Sequence, residues 1–150
     1  MHKYLQILWL ATIVISGSTS VACTTFAVDG ESTADHQTFI GKSRDAIAPY
    51  QKVVIQRDKN KIAYLGLFYG EKPRSLPYIA AGTNQAGLTV VQNESAAIYN
   101  YMTFNDKDQS AIIYKLLTTY KDVQSIIKGQ KKLFSTNKAN FLLIADKKQA

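Results

Sequence analysis

Cysteine and histidine are scarce in this 150-residue chain, which contains one cysteine, Cys23, and two histidines, His2 and His36. A single cysteine cannot form a disulfide within the chain, so no such bond holds the fold together. Zinc sites built from several cysteines and histidines are excluded as well, because the chain does not contain the side chains for them. The lone thiol is therefore a candidate for a chemical role.

Acidic residues are also few, since 11 Asp and Glu stand against 18 Lys and Arg, for a formal net charge of +7. Nucleic-acid-binding proteins usually gather basic residues into a stripe with interleaved aromatics, whereas here they are scattered. The one cluster, at residues 128–132, is interpreted as the solvated end of a helix. Hydrophobic residues make up 46% and charged residues 19%, as in a globular protein of one domain. We therefore expect no nucleic-acid partner.

The first 22 residues have the three-part layout of a secretory signal peptide. A short positive start at residues 1–3 precedes an apolar run at residues 5–15 and a stretch of small residues at 17–22. The apolar run is too short to span a membrane, which takes about 20 residues. Ser20 and Ala22 fit the small-x-small rule for signal peptidase. We therefore expect an exported protein, periplasmic or secreted, whose mature domain covers residues 23–150 and begins at Cys23.

A lipoprotein signal is the alternative interpretation of the same site, with Cys23 as the lipid carrier. Lipidation sites normally have a Leu-like residue three positions before the cysteine, where this chain has Ser20. Lipoproteins also tend to continue with a flexible polar tether, whereas residues 24–28 have the composition of a strand that starts at once. The sequence therefore favours an unmodified Cys23 over a lipid anchor.

The pattern of the mature chain predicts an α+β fold, with helices on one side of a mostly antiparallel sheet. Apolar residues recur at helical spacing in residues 109–120, behind Asp106 or Asp108 as a cap, and a second helix is predicted through residues 123–127. Strands are predicted at residues 24–28, 38–42, 52–57, 61–69, 78–83, 88–93 and 140–145, separated by turns rich in Gly, Pro, Asn and Asp.

The last predicted strand ends in the polar turn Asp146-Lys147-Lys148, close to the end of the sequence. A strand followed by such a turn usually has a partner strand to come. We therefore expect this chain to be the truncated N-terminal part of a larger fold. A chain that lacks the rest of its fold would leave strand edges and one apolar sheet face uncovered. The mature segment is therefore expected to aggregate or to fold only in part, and to show little amide hydrolysis.

A thiol becomes a useful nucleophile when a base takes its proton or when its surroundings stabilise the thiolate. In the mature chain the one imidazole is that of His36, which lies in a polar turn beside Asp35. An N-terminal cysteine carries its own base, because a free α-amine titrates near pH 7.7–8.0. The scarcity of histidine thus favours self-activation of Cys23. The alternatives for Cys23 are a small buried hydrophobe or a lipid carrier.

Three motifs in order resemble the N-terminal nucleophile (Ntn) hydrolases of linear amides. They are Ala22-Cys23-Thr24-Thr25-Phe26, Gly41-Lys42-Ser43-Arg44-Asp45 and Gly82-Thr83-Asn84-Gln85-Ala86-Gly87-Leu88, with Asn93 soon after. This group includes choloylglycine (bile salt) hydrolase, penicillin V acylase and the acyl-coenzyme A:6-aminopenicillanic acid acyltransferases. The Cys-Thr-Thr start and its distance to Asp45 are also similar to a related dipeptidase family. The resemblance implies a four-layer αββα sandwich, of which the chain holds the N-terminal half.

The resemblance also implies roles for individual residues. Cys23 would be the nucleophile and Asp45 the carboxylate that orients its thiol and amine. The family has an arginine where Lys42 stands, and Arg44 is a candidate to replace it because lysine lacks the planar guanidinium. Asn93 matches the oxyanion-hole asparagine. A second family asparagine matches Asn137, with Asn140 as an alternative.

The sequence identifies the substrate-binding residues less specifically than the catalytic ones. Arg44 and Tyr78 are expected at the substrate, and Tyr50, Tyr69 and Tyr99 are further candidates to line the pocket. Asn84 and Gly87 are assigned to a turn only. A further catalytic arginine of the bile salt hydrolases has no counterpart up to Ala150, which bears on whether this chain is active.

The predicted chemistry is attack of the Cys23 thiolate on an amide carbonyl, while the α-amine accepts and returns the proton. The resulting acyl-enzyme is resolved by water or by an amine. This chemistry needs no metal or organic cofactor. The alternative function is a non-enzymatic exported lipoprotein, or an inactive fragment of the same family. The expected partner is therefore a small-molecule amide substrate, which the sequence does not identify. The sequence is also compatible with a homo-oligomer.

Overall fold

The computed structural model describes residues 24–44, 50–93, 106–134 and 141–148, and these form a mixed α+β fold as predicted. The predicted signal peptide lies outside the described residues. The strands are β1 Thr24–Val28, β2 Phe39–Ser43, β3 Tyr50–Gln56, β4 Tyr64–Gly70, β5 Tyr78–Asn84, β6 Thr89–Asn93 and β7 Phe141–Ala145, and the helices are α1 Asp106–Thr119 and α2 Val123–Leu133. None of the helices in the described part of the chain is both long and apolar enough to cross a membrane.

The strands form two antiparallel sheets. β1 and β2 make a two-stranded hairpin in which Thr24 pairs with Ser43 and Val28 with Phe39. The other five strands make a sheet in the order β3-β4-β5-β6-β7, in which every neighbouring pair is antiparallel. Both predicted hairpins, β1–β2 and β5–β6, are therefore confirmed.

Both helices pack on one face of the five-stranded sheet and form the hydrophobic core with it. The fully buried side chains of α1 are Ile113, Leu116 and Leu117, and the other core residues are Tyr64, Ile79, Leu88 and Val90 from the sheet side and Ile126 and Leu133 from α2. Asp122 caps α2 by accepting a hydrogen bond from the Ser125 backbone N–H at 2.7 Å. Exposed lysines occupy its last turn, which confirms residues 128–132 as a solvated helix end.

The hairpin packs on the other face of the same sheet, over β6 and β7. Successive residues of a strand point to opposite faces. Because Val90 and Ile144 face the helices, Thr89 and its partner Ala145 face the hairpin. Strand β1 contacts both β6 and β7, and β2 contacts β6. The described residues thus form three layers, with helices, the five-stranded sheet and the hairpin in that order.

The hairpin covers only part of its face of the sheet, and the part over β3 and β4 carries exposed aliphatic side chains. Val53 is 58% exposed, Ile55 is 55% exposed and Leu65 is 46% exposed. Val53 pairs with Leu67 and Ile55 pairs with Leu65, so these side chains form one continuous patch, which we call the β3–β4 patch. Contiguous apolar surface of this kind promotes association in water.

We expect that replacing Val53 and Ile55 with threonine will reduce self-association of the mature chain. Threonine keeps the β-branched shape that suits a strand but removes apolar surface from the patch. The distribution of monomer and larger species can be measured by analytical ultracentrifugation over a range of concentrations.

Ile127→Thr is the control, because Ile127 is an exposed aliphatic residue on α2, away from the patch. It should leave the distribution unchanged. Equal association of wild type and the double variant would show that the β3–β4 patch does not drive it.

The sequence predicted that the fourth strand begins at Lys61, whereas β4 begins at Tyr64. The backbone groups of residues 61–63 form hydrogen bonds outside the sheet. The Lys61 N–H donates to the Asp58 carbonyl at 3.2 Å and closes a turn. The Ile62 N–H donates to the Thr118 carbonyl of α1 at 3.2 Å, and the Ala63 carbonyl accepts from the Gln85 N–H at 2.8 Å. These residues therefore connect the sheet to the end of α1 instead of extending a strand.

Candidate functional site

Four of the predicted site residues are described in the structure, namely Lys42, Arg44, Tyr78 and Asn93. The others, Cys23, Asp45, Asn137 and the alternative Asn140, lie outside the described residues, as does Tyr99. The structure therefore shows where the first four residues lie and how each is held.

All four residues lie at one end of the layered strands. Lys42 and Arg44 stand at the end of β2, Asn93 is the last residue of β6, and Tyr78 is the first residue of β5. The same end holds Thr24, the first residue of β1, which pairs with Ser43. The residue before Thr24 in the sequence is Cys23. We call this part of the molecule the β1-start end.

Lys42 connects the hairpin to the five-stranded sheet. Its Nζ donates a hydrogen bond to the backbone carbonyl of Gln92, one residue before the end of β6. The side chain is half-buried, so this bond holds β2 against β6 beside Asn93. A single ammonium suffices for a single carbonyl, which is consistent with a lysine at this position rather than a planar guanidinium.

Asn93 has unused hydrogen-bonding capacity. It pairs with Phe141 in the sheet, and strand alternation from Val90 places its side chain on the face toward the hairpin. Its Oδ1 is buried and accepts no hydrogen bond from the part of the chain that the structure describes. Rotation of the amide exchanges Oδ1 and Nδ2, so this position can present either an acceptor or a donor. A donor here would suit a developing negative charge on oxygen.

Arg44 is held by an aromatic ring and an amide side chain. Its guanidinium carbon lies 4.8 Å from the centroid of the Tyr69 ring, a cation–π distance. Its Nη1 donates to Gln51 Oε1 at 3.4 Å. Its Nε is buried and donates to no acceptor within the described ranges. The Tyr69 ring in turn contacts Tyr78, with centroids 5.5 Å apart and an interplanar angle of 44°.

The row of Gln51, Tyr69 and Tyr78 follows directly from strand pairing. Gln51 pairs with Tyr69 across β3 and β4, and Tyr69 pairs with Tyr78 across β4 and β5. Paired residues in antiparallel strands share a face, so the three side chains form a platform beneath Arg44. Sequence reasoning named the tyrosines separately and missed Gln51. The register between distant strands, which a single sequence does not supply, was the missing information.

His36 lies at the opposite end of the hairpin from the four site residues. It precedes β2 and adopts a left-handed backbone conformation with φ 54°. It lines a cavity of about 330 Å³ together with Gln37, Thr38, Ile40, Gly87, Thr89, Ala145, Asp146 and Lys147. The five-residue length of β1 separates this end from the β1-start end by about 13 Å, at ~3.3 Å per residue.

The motif at residues 82–88 has a structural explanation. A Cβ on Gly82 would lie 2.6 Å from Leu117 Cδ1, so glycine here lets α1 approach the sheet closely. Gly87 has φ 94°, which favours glycine in the turn between β5 and β6. Asn84 bonds within the same turn, as predicted, and it also bonds to the end of α1. The motif therefore positions β6, at whose far end Asn93 lies.

Metal binding has no evident site in the described ranges, where no three His, Cys, Asp or Glu side chains are grouped closely enough to hold an ion. Comparison of the chain with models of known protein families, and with curated protein sequences, found no match. The functional argument therefore depends on the residues themselves.

Proposed function

We propose that the mature chain is a cysteine Ntn hydrolase or acyltransferase that cleaves a linear amide C–N bond through an acyl-enzyme on Cys23. The observation that carries the proposal is the grouping of Lys42, Arg44, Tyr78 and Asn93 at the β1-start end. That is the end where β1 begins directly after Cys23 in the sequence. Lys42, Tyr78 and Asn93 are far apart in the sequence, and the hydrophobic pattern of the sequence does not by itself predict that they lie at the same end of the strands.

In this mechanism the Cys23 thiolate attacks the amide carbonyl, and the carbonyl oxygen takes the negative charge. The Asn93 amide stabilises that oxygen, and removal of one such donor typically costs about 100- to 1000-fold in rate. The C–N bond then breaks, and the leaving amine takes a proton from the α-ammonium group. Water, or a second amine in an acyltransferase, attacks the thioester and regenerates the thiol.

The α-amine of Cys23 is the base in this proposal, and Asp45 orients the amine and thiol. The position of His36 supports this choice, because His36 lies in the turn beyond the end of β1 that is opposite Thr24, and the length of β1 alone is about 13 Å at ~3.3 Å per residue. A catalytic base must come within hydrogen-bond reach of the proton that it takes. A free α-amine on the nucleophile itself meets that requirement without any histidine.

The proposed fold is the αββα sandwich of the Ntn hydrolases. Three layers in the order helix, sheet, sheet support this assignment. In the proposal the β1–β2 hairpin belongs to the second sheet. The coarse α+β architecture does not depend on this assignment.

Intact-mass analysis of the exported protein tests the proposal. The full sequence, with its leader, is expressed in a bacterium and the processed product is purified. We expect the mass of residues 23–150 with a free thiol and a free amine, because β1 begins at Thr24 and leaves no room for a tether. Incubation with a p-nitrophenyl ester should then add one acyl group to Cys23.

Two outcomes would contradict the proposal. A lipid-sized mass increment would identify Cys23 as a lipoprotein anchor. If the processed chain began after Cys23, or if no acyl donor modified a free Cys23, then Cys23 would be excluded as the nucleophile. Peptide mapping of the labelled protein distinguishes acylation of Cys23 from acylation of surface lysines.

A further inference from the structure

We infer that the outer face of the helix layer docks on an anionic phospholipid surface, with α2 lying along the lipid headgroups. This face consists of the exposed side chains of α1 and α2, since both helices pack on the sheet through their opposite sides. Docking through it requires neither Cys23 nor amide turnover. The charge, exposure and spacing of side chains on the two helices support it.

Helix α2 presents a cationic stripe to solvent. Ile126 and Leu133 belong to the core, so the opposite side of the helix is exposed. Lys128, Lys131 and Lys132 are exposed there, and their i, i+3 and i+4 spacing places them on one face. The helix itself contains no aspartate or glutamate. Its outer side therefore carries positive charge only.

Two exposed apolar side chains border these lysines. Ile127 is 46% exposed, and Phe134, the C-cap of α2, is 41% exposed. The Phe134 N–H donates to the Gln130 carbonyl at 2.9 Å, so the helical turn extends to this residue. Ile127, Lys131 and Phe134 are spaced i, i+4 and i+7 and form one row. Apolar side chains beside lysines are typical of helices that bind the surface of an anionic membrane.

The acidic residues of the helix layer are confined to the starts of the helices. Residues 106–134 contain six lysines against three aspartates, for a net charge of +3. Asp106 and Asp108 are among the first three residues of α1, and Asp122 is the N-cap of α2. Negative charges at these positions are matched by the positive N-terminal ends of the helices. The rest of the layer, which includes the exposed Lys115, has only positive charges.

The hairpin layer, on the other face of the sheet, has the opposite net charge. Asp29, Glu31 and Asp35 are exposed in the turn between β1 and β2. Residues 24–44 contain these three acidic residues against one lysine and one arginine, for a net charge of −1 with His36 neutral. An anionic surface therefore attracts the helices and repels the hairpin turn. The expected orientation places α1 and α2 against the lipid.

The apolar side chains favour lipid over another polyanion. Single-stranded nucleic acids are held by aromatic rings that stack on the bases, whereas the lysines of α2 are not interleaved with aromatic residues. A phospholipid surface offers phosphate groups to the lysines. Beneath the phosphates it offers an apolar layer to Ile127 and Phe134.

Vesicle flotation of the processed protein tests the docking, because lipid-bound protein rises in a density gradient whereas aggregated protein does not. Vesicles of phosphatidylcholine alone are compared with vesicles of phosphatidylcholine and phosphatidylglycerol in equal parts. We expect binding to the anionic vesicles only, and we expect added salt to weaken it by screening the charges.

Two double variants assign the binding to α2. Lys128→Gln combined with Lys131→Gln should weaken binding about 25-fold, at about fivefold for each lysine near the surface. Lys72→Gln combined with Arg74→Gln is the matched control, because it removes the same charge from exposed positions in the turn between β4 and β5. The control should bind like wild type.

The Phe134→Trp variant reports the contact directly. The one tryptophan of the chain, Trp9, lies in the predicted signal peptide, so the processed variant has a single indole. Its emission should shift to shorter wavelength with the anionic vesicles and stay unchanged with phosphatidylcholine. Phe39→Trp is the control, because Phe39 is 51% exposed in the hairpin layer. Its emission should not shift.

Three results would overturn the inference. The first is equal flotation with neutral and anionic vesicles, or wild-type binding by the Lys128 and Lys131 double variant. The second is a shift in Phe39→Trp instead of Phe134→Trp, since the hairpin layer would then face the lipid. The third is binding to heparin or DNA without binding to vesicles, which would identify a site for a soluble polyanion.

Discussion

In mature protein that turns over an amide, replacement of Cys23 by alanine is expected to reduce that turnover to the background rate. The reason is that the chain contains no other thiol, so no second cysteine can replace the nucleophile. Cys23→Ser should also lose turnover, because a hydroxyl is a much weaker nucleophile than a thiolate near neutral pH. Both rates can be measured with the amide that wild type turns over fastest, with acyl-enzyme followed by intact mass.

Export and folding of these variants should be unchanged. The small residues that signal peptidase requires, Ser20 and Ala22, are unchanged in these variants, and the described part of β1 begins after the substituted residue. Thr24→Ala is the control, because it removes an exposed hydroxyl from the adjacent position and should retain turnover. Wild-type turnover by Cys23→Ala would exclude Cys23 as the nucleophile.

The elements of the fold were largely predictable because their signals are local. Apolar residues at helical spacing gave α1, and the turn chemistry of residues 29–35 and 84–87 gave the two hairpins. The start of β4 was not predictable, because residues 61–63 are held by the end of α1 and by Gln85, which are distant in sequence. Local patterns do not reveal which backbone groups find a distant partner.

The candidate site shows the same division between local and distant information. The resemblance points to Lys42, Arg44 and Asn93, and their grouping follows from the packing of the hairpin on β6. The platform of Gln51, Tyr69 and Tyr78 depends on the register of three strands. Register is specified by burial of a whole sheet face, which a single sequence does not show.

The largest effect on stability is expected at Asn84, whose buried side chain connects the β5–β6 turn to the C-terminal end of α1. Its Nδ2 donates to the carbonyls of Leu117 and Tyr120 at 2.9 and 2.8 Å. Its Oδ1 accepts from the N–H groups of Ala86 and Leu88, both at 3.0 Å. All hydrogen-bonding sites of the amide are therefore used, and we expect Asn84→Ala to lower the free energy of unfolding by about 3 kcal/mol.

Asn84→Asp separates the donated from the accepted hydrogen bonds. A carboxylate still accepts from Ala86 and Leu88, but it cannot donate to Leu117 and Tyr120, and its charge faces the negative end of the α1 dipole. We expect it to be at least as destabilising as alanine at pH 7, as measured by urea unfolding followed by circular dichroism. Burial is expected to raise the pKa of the new carboxyl, so the charge penalty should be full at neutral pH, shrink as the pH falls toward the unfolded-state pKa of about 3.9, and be absent below it, where a protonated carboxyl donates one bond. Gln85→Ala, an exposed neighbour, should change stability by less than about 0.5 kcal/mol. An Asn84→Asp variant as stable as wild type would show that the bonds to α1 contribute nothing, and that the turn alone needs the asparagine.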